Sequence, residues 1–373
     1  MKHLFEDEGL RKLEQRFKKM AAFLEKTLVE RKPVLLEYHD DGDGVFGALI
    51  VKKALEEKAA LLGVPLSLYC LQSSSSAYSE EDARRDACQH ELRAPLLLVV
   101  DFGLNEDSEK GVELARRAGF AVAAIDHHPF PKKIEGHYDC IVAPQQEGLG
   151  PEYCAGLLCF EVASAMGCAP SQEWARAALK SDNSRFMREE DDLLARAVDY
   201  LLIASKQKKP LSFYERVLED RIALKEYYAR AVENVMEMLE KAVKTAKIVA
   251  IGDNASAVLL DLEKCGCAKN VYPSKGKAVN EAHNKFSLEL GGAVVTLGFT
   301  RDRISFRANA EAMKRGAAAN PVIAELKKEF GSTIVSGGGH DVAAALKVRG
   351  GSARLVALRF AELVGKQLRR KAN

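Results

Sequence analysis

The sequence predicts an α/β protein with an N-terminal parallel-sheet domain, a helical connector and a smaller C-terminal α/β domain. Three observations carry that expectation. Short apolar runs alternate with helix-like segments, the order that crossover connections between parallel strands require. At 373 residues the chain exceeds the ~100–200 residues of a single domain. Its charge is also unevenly divided. Residues 246–373 carry 21 Lys and Arg against 11 Asp and Glu, a net of +10, which leaves −8 for residues 1–245 and +2 overall.

Residues 5–30 have helical periodicity with mixed charge and predict an amphipathic surface helix. The apolar run Val34–Tyr38 predicts a strand, and residues 44–61, rich in Ala, Leu and Lys, a helix. The same order returns at Leu96–Val100, followed by a helix over about 107–118, and a third apolar run stands at Ala121–Ile125. Tyr153–Gly167, Gln172–Leu179 and Leu193–Ser205 read as helices. Lys206-Gln207-Lys208-Lys209-Pro210 is a polar break where proline stops a helix, and Ser212–Lys247 then reads as one long charged helix. Beyond it the period changes to strands at 248–251, 257–260, 293–299 and 304–307, with helices at 321–330 and 353–368. The expected domains are therefore 1–205, a connector at 206–247, and 248–373.

Hydrophobic residues at 47% and charged residues at 29% match a globular chain and exclude global disorder. No uncharged apolar stretch reaches the ~18–20 residues of a membrane span, and the start Met1-Lys2-His3-Leu4-Phe5-Glu6-Asp7-Glu8 has no signal-peptide core, so no membrane partner and a cytoplasmic location are expected. Eight cysteines lack tight pairing, and Cys70, Cys140, Cys159 and Cys168 lie in apolar segments, as reduced core thiols would. Cys265-Gly266-Cys267 has no second pair to complete a zinc site and reads as a structural loop. A basic C-terminal part beside an acidic N-terminal one suggests a polyanion held by the former and cations held by the latter.

Acids and histidines follow the first three apolar runs. They are His39-Asp40-Asp41-Gly42-Asp43-Gly44, then Asp101, then Asp126-His127-His128. Open parallel sheets bind ligands at the carboxyl ends of their strands, so these ends would bring up to five carboxylates and three imidazoles into one cleft. Carboxylates that close repel unless cations neutralise them. Taken alone, Asp-Gly reads as a turn, Asp101 as a helix cap and the paired histidines as a solvated loop; together they read as metal ligands. Oxygen and imidazole donors without thiolate suit Mn²⁺, with Mg²⁺, Co²⁺ or Zn²⁺ as alternatives, and two ions fit this donor set better than one. In an extended segment the alternation His39-x-Asp41-x-Asp43 would point side chains one way, and Gly42 and Gly44 would let the backbone bend around an ion. Asp182, by itself, reads as a helix N-cap, and Glu189-Glu190-Asp191-Asp192 as the acidic start of a helix. Downstream, the run Gly337-Gly338-Gly339-His340 would let backbone N–H groups converge on a phosphate, and Arg307 offers a bidentate phosphate contact.

The set His39-x-Asp41-x-Asp43, Asp101, Asp126-His127-His128 and Asp182, with Gly337-Gly338-Gly339-His340 downstream, resembles the DHH phosphoesterase family in its DHHA1 subgroup, over about residues 30–350. That subgroup includes RecJ-like exonucleases, nano-RNases, 3′-phosphoadenosine-5′-phosphate phosphatases and cyclic-dinucleotide phosphodiesterases. The resemblance implies that His39, Asp41 and Asp101 hold one Mn²⁺, and that Asp43, Asp101, His127 and Asp182 hold a second, with Asp101 bridging. It implies that Asp126 orients an imidazole, that His128 contacts the scissile phosphate, and that Arg307, His340 and the three glycines bind nucleotide. Asp40 is an acid added to the first motif.

The expected activity is therefore metal-assisted hydrolysis of single-stranded DNA or RNA, oligonucleotides or other short nucleic acid by a RecJ-like exonuclease. The alternatives are a phosphodiesterase or phosphatase for small nucleotides, and a non-catalytic replication scaffold. A homodimer and replication or repair proteins are the expected protein partners. Phe299 and Phe306 stand near Arg307, where they would stack on bases or, at strand spacing, belong to the core.

Overall fold

The computed structural model describes residues 3–88, 94–205 and 207–370. Lys206, the first residue of the expected polar break, lies outside these, as do Met1, Lys2 and residues 89–93 and 371–373. The chain forms two compact units, Met1–Tyr228 and Ala229–Asn373.

The first unit opens with α1 (Glu8–Val29), capped by the Asp7 carboxylate, which accepts from the Leu10 N–H. There follow β1 (Val34–His39), α2 (Gly42–Leu62), β2 (Leu68–Ser73), α3 (Glu80–Ala87), β3 (Leu96–Val100), α4 (Glu109–Arg117), β4 (Ala121–Ile125) and β5 (Cys140–Val142). All five strands pair in parallel in the order β2-β1-β3-β4-β5. Leu36, Tyr38, Leu98, Val100 and Ile125 face one buried layer, and Leu35, Leu97, Val99, Val122 and Ala124 the other, so β3 and β4 read as unbroken apolar runs and β1 as one interrupted by Glu37. The helices α5 (Ala155–Ala165), α6 (Gln172–Ser181), α7 (Asp192–Ala204) and α8 (Leu211–Glu219) complete this layer arrangement.

The expected single helix over 212–247 is two: α8 ends at Glu219 and α9 (Arg221–Thr245) starts after Asp220, whose ψ of 97° leaves helical geometry. The Asp220 carboxylate accepts from the N–H groups of Ile222 and Ala223, so the break doubles as a cap. The division between the units falls inside α9.

The second unit has β6 (Lys247–Gly252), β7 (Ala255–Asp261), α10 (Lys275–Leu290), β8 (Ala293–Phe299), β9 (Arg303–Ala308), α11 (Ala310–Lys314), α12 (Ala319–Phe330), β10 (Ile334–His340), β11 (Ala343–Val348) and α13 (Ala353–Arg370). Its sheet runs β10-β11-β9-β8-β7-β6, antiparallel except for β7 with β8, which α10 joins by a crossover. Strands β2, β5, β10 and β11 and helices α3, α10 and α11 are not among the sequence expectations. β2 is half-buried throughout and β5 has three residues, so neither presents an apolar run of useful length.

Of the four cysteines expected in the core, Cys140 and Cys159 are buried, whereas Cys70 and Cys168 are half-buried. Cys265 and Cys267 are buried free thiols, their pKa values raised by burial. Phe306 stacks on Phe360 at 4.9 Å in the buried core and is no base platform. Among the described residues no helix is long and apolar enough to cross a membrane.

One buried charge cluster gives a testable consequence. The Arg85 guanidinium on α3 contacts three acids, Glu37 on β1, Asp82 and Asp86, and the Tyr78 hydroxyl donates to Asp86 at 2.7 Å. One cation cannot balance three carboxylates, and burial, then Asp86, pushes the Glu37 carboxyl from 4.5 up to about 9. A raised folded pKa means that this group's stabilising effect is present below about pH 4.5 and is lost as pH climbs toward 9. Glu37→Gln removes the titration, so its melting temperature should rise above that of the parent between pH 5 and 9, by an amount that grows with pH. A gap that stays constant with pH would reject this protonation state.

Candidate metal centre

β1 and β3 are neighbours in the sheet, and the strand order reverses between them, with β2 on the far side of β1. A parallel sheet leaves its crevice at the carboxyl ends of strands that diverge in this way. His39 ends β1 and Asp101 immediately follows β3. Asp126, His127 and His128 follow β4 one strand further along.

Asp41 and Asp43 arrive differently from expectation. The segment is not extended: Asp41 is the N-cap of α2, its carboxylate accepting from the Gly44 N–H at 3.0 Å, and Asp43 sits in the first helical turn. The glycines serve packing, not bending around an ion. A Cβ on Gly42 would lie 2.0 Å from the Ser181 Oγ, and one on Gly44 2.4 Å from the His39 carbonyl oxygen. The side-chain convergence therefore comes from a helix start pressed against a strand end.

Asp101 is the centre of the group. It is 1% exposed, and neither carboxylate oxygen has a hydrogen-bond partner. Its backbone holds φ +67°, a left-handed conformation that costs a non-glycine residue about 1–3 kcal/mol. Its Oδ2 lies 3.7 Å from the His39 Nδ1 and its Oδ1 3.3 Å from the His127 Nε2. Burial raises the Asp101 pKa well above the carboxylate range, and Asp41 and Asp43 add to it. An orphaned buried carboxylate of this kind is costly unless a cation meets it.

The neighbours are arranged around those two oxygens. The His39 Nδ1 is 2.9 Å from the Asp41 Oδ2. Against the opposing effect of burial, Asp101 and Asp41 together push the His39 imidazole up to about 11. The His127 Nδ1 donates to the Pro151 carbonyl at 2.6 Å. A carbonyl only accepts, so Nδ1 carries a proton, and Nε2 is turned toward Asp101 and, at 3.8 Å, Asp43, acids that raise the His127 pKa against the effect of burial. Asp43 is fixed by the amides at the start of α5, accepting from Ala155 and Gly156 at 2.7 Å each.

Asp126 does not join the metal-facing acids. Its Oδ1 accepts from the His128 N–H at 3.1 Å and meets the His128 Nδ1 at 2.8 Å, while Oδ2 accepts from the Leu104 N–H. It thus fixes the His128 ring, whose side chain is 55% exposed. Asp40, half-buried, stands apart with its Oδ1 3.9 Å from the His39 Nε2. The five carboxylates expected in the cleft therefore divide into Asp41, Asp43 and Asp101 inside it, and Asp40 and Asp126 at its edge.

Asp182 is the C-cap of α6, not an N-cap, because the helix runs into it instead of out of it. Its Oδ2 approaches the His127 Nδ1 to 3.9 Å, on the ring edge that Pro151 already occupies. Burial pushes its carboxyl up to about 7 against the pull of His127. Among the described residues, two triads here bring possible ligand atoms within 4.8 Å of one another: His39, Asp41 and Asp101, and Asp101, His127 and His128. A third, Glu109, Glu113 and His137, lies elsewhere, and Lys133 also contacts Glu109. The donor chemistry and the orphaned Asp101 fit a divalent cation. The supporting groups at Pro151, Ala155, Gly156 and Leu104 are absent from the sequence expectations, since backbone atoms leave no side-chain signature. The Gly150-Pro151 turn ahead of an apolar helix is the available hint.

In the second unit, Gly337–His340 do not form a loop. They belong to β10, paired residue by residue with β11 from Gly337 opposite Leu346 to His340 opposite Ala343. In a strand successive N–H groups point opposite ways, so the three glycine amides do not converge. Gly339 has φ +136°, and a Cβ there would meet the Ala343 carbonyl oxygen at 2.7 Å. Gly338 and Gly339 line a cavity of about 430 Å³ together with Lys275, Arg303 and Arg307. Gly337 and His340 are not among its lining residues.

The N-terminal-domain model of the DHH family matches residues 33–197. The uncharacterized protein MJ1198 of Methanocaldococcus jannaschii is 24% identical over 422 residues, covering 97% of this chain and 55% of that protein. The chain thus spans about half the length of this curated relative. Among solved structures, a DHH domain described as a member of the s1p family of ribosomal proteins, PF0399, is similar with a TM-score of 0.80 and 21% identity, covering 98% of this chain and 94% of that one. RecJ from Thermus thermophilus, in complex with Mn²⁺, is similar with a TM-score of 0.59 and 17% identity over 97% of this chain and 55% of its own. At these identities the two structures show the shared fold. The matched segment holds all eight acids and histidines from His39 to Asp182 that the motifs single out, so residues 33–197 match the N-terminal domain of the DHH family, and the chain as a whole shares the fold of RecJ.

Proposed function

We propose that this chain is a divalent-metal-dependent phosphoesterase that hydrolyses phosphodiester bonds in single-stranded or short nucleic acid. The observation that carries the proposal is Asp101, buried with both oxygens unpartnered amid His39, Asp41, Asp43 and His127. In this reading His39, Asp41 and Asp101 hold one ion, Asp43, Asp101, His127 and Asp182 hold another, and Mn²⁺ is the ion of choice. RecJ of Thermus thermophilus, similar in fold, was crystallised with Mn²⁺. When bound, such cations acidify a water and neutralise charge on phosphoryl oxygens.

The protein groups do the rest. Asp43, held by the α5 amides, and His127, held by Pro151, keep their remaining lone pairs aimed at one point without reorganising. His128, exposed and tied to Asp126, offers its Nε2 to a scissile phosphate. Asp126 fixes that ring and, as an ionised partner, favours the imidazolium that would pair with a phosphate oxygen. Arg307 and the glycines beside it supply an anion site in the second unit.

Labelled single strands of two to thirty nucleotides, cyclic dinucleotides and 3′-phosphoadenosine-5′-phosphate, each incubated with Mn²⁺ and with EDTA, test this reading. Release of mononucleotides from the strands in Mn²⁺ alone is the expected result. Turnover confined to the small nucleotides would move the activity to the phosphodiesterase or phosphatase reading. Mn²⁺ binding without any turnover would favour a scaffold.

A further inference from the structure

Arg307 is a half-buried cation without an acid. Its Nε donates to the Asn280 Oδ1 on α10, and its Nη1 donates to the Phe306 carbonyl at 2.7 Å. Among the described residues no carboxylate lies within ion-pair distance of it. A guanidinium carries five N–H groups, so three are left for the cavity it lines. That cavity also receives Lys275 and Arg303 and has no acidic residue in its lining.

On the side away from the cavity the partners of Arg307 are uncharged. One turn beyond Asn280 on the same helix, the His283 Nδ1 meets the Thr296 Oγ1 at 2.9 Å, and Thr296 pairs with Arg307 across the β8–β9 ladder. Burial, then the Arg307 charge, pushes the His283 imidazole down to about 4, so it stays uncharged. Burial also lowers the Arg307 pKa, with no counter-charge acting in the other direction.

Arginines withdrawn this far from water are ordinarily matched with carboxylates. A carboxamide of the same shape gives the same hydrogen bond and leaves the charge whole. We propose that Asn280 is a specificity-determining positioning residue: it orients Arg307 while keeping it an uncompensated cation, reserved for a phosphate group of the substrate in the cavity bounded by Lys275, Arg303 and Gly338–Gly339. The proposal rests on the reading above that Arg307 binds substrate.

The substitution Asn280→Asp separates orientation from charge. Aspartate keeps the shape and strengthens the bond to Arg307, so a residue with a merely structural role would leave ligand binding unchanged. The experiment titrates the full chain in Mn²⁺ with adenosine monophosphate by calorimetry, and measures KM and kcat on a labelled single-stranded tetranucleotide. We expect Asn280→Asp to melt no lower than the parent, to weaken adenosine monophosphate binding about ten- to a hundredfold, and to raise KM by a similar factor with kcat within about twofold. Asn280→Ser, neutral and able to accept a hydrogen bond, should keep most of the affinity. Unchanged affinity and KM in Asn280→Asp, with Arg307→Ala impaired, would overturn the role of Asn280 alone. Unchanged affinity and KM in Arg307→Ala, or no adenosine monophosphate binding by the parent, would instead overturn the anion site on which it rests.

Discussion

Asp101→Asn should abolish Mn²⁺ binding and slow phosphodiester hydrolysis on the order of a thousandfold or more, while the metal-free protein becomes more stable. Both effects have one cause. The Asp101 carboxylate is buried without a hydrogen bond and faces Asp41 and Asp43, so the metal-free fold bears its desolvation. Asparagine keeps the volume, removes the charge, and is among the residues that tolerate the left-handed φ of +67° found there, which alanine does not. The gain is the share of the desolvation cost that belongs to the charge, since the asparagine amide remains a buried polar group.

The sign with pH follows. The folded-state pKa of Asp101 is raised, so its favourable contribution is present below the unfolded value of ~3.9 and is lost as pH rises above it. In EDTA the melting temperature of Asp101→Asn should therefore exceed the parent's at pH 7, and the difference should shrink toward pH 4. With Mn²⁺ the order reverses, because only the parent gains binding energy in the folded state. An Asn variant that binds Mn²⁺ like the parent, or melts lower without metal, would sink the assignment of Asp101 as the shared ligand.

Gly44→Ala should unfold the metal centre by a purely steric route. The new Cβ would stand 2.4 Å from the His39 carbonyl oxygen and 2.9 Å from the His39 nitrogen and carbonyl carbon. All three are backbone atoms of β1, so no rotamer change relieves the clash. α2 must move off the strand, taking with it Asp41, which caps through the Gly44 N–H, and Asp43. A cost of about 3 kcal/mol or more corresponds to a melting temperature lower by roughly 6–12 °C for a domain of this size. Mn²⁺ affinity should fall in the same variant. By contrast, alanine at Gly63, where nothing lies within 4 Å and φ is +64°, should leave Mn²⁺ affinity unchanged and lose only the modest cost of a left-handed C-cap. Equal Mn²⁺ affinity in Gly44→Ala and the parent would contradict this account.

The strands with mostly apolar runs are legible without coordinates. Val34–Tyr38, Leu96–Val100 and Ala121–Ile125 are buried on both faces, which leaves no alternation to obscure them. Edge elements are not legible: β2 is half-buried and shows no apolar period, and α10 is masked by Ser274-Lys275-Gly276 at its start. The Gly337–Gly339 run reads as a phosphate loop because glycine frequency reports permissiveness and not conformation, and pairing with β11 is a contact remote in register from any local signal.

What the amino-acid order determined by itself is the chemistry available at each strand end: carboxylates and imidazoles after β1, β3 and β4, because a parallel sheet turns every strand's carboxyl end to the same side. What only the tertiary structure decided is which lone pairs stay free. Pro151 takes the His127 Nδ1, the α5 amides take Asp43, Leu104 and His128 take Asp126, and Asp101 alone is left with nothing. Hydrogen bonds to backbone groups more than twenty residues away made most of that selection, and a carbonyl or amide carries no mark in the sequence of the partner it will meet.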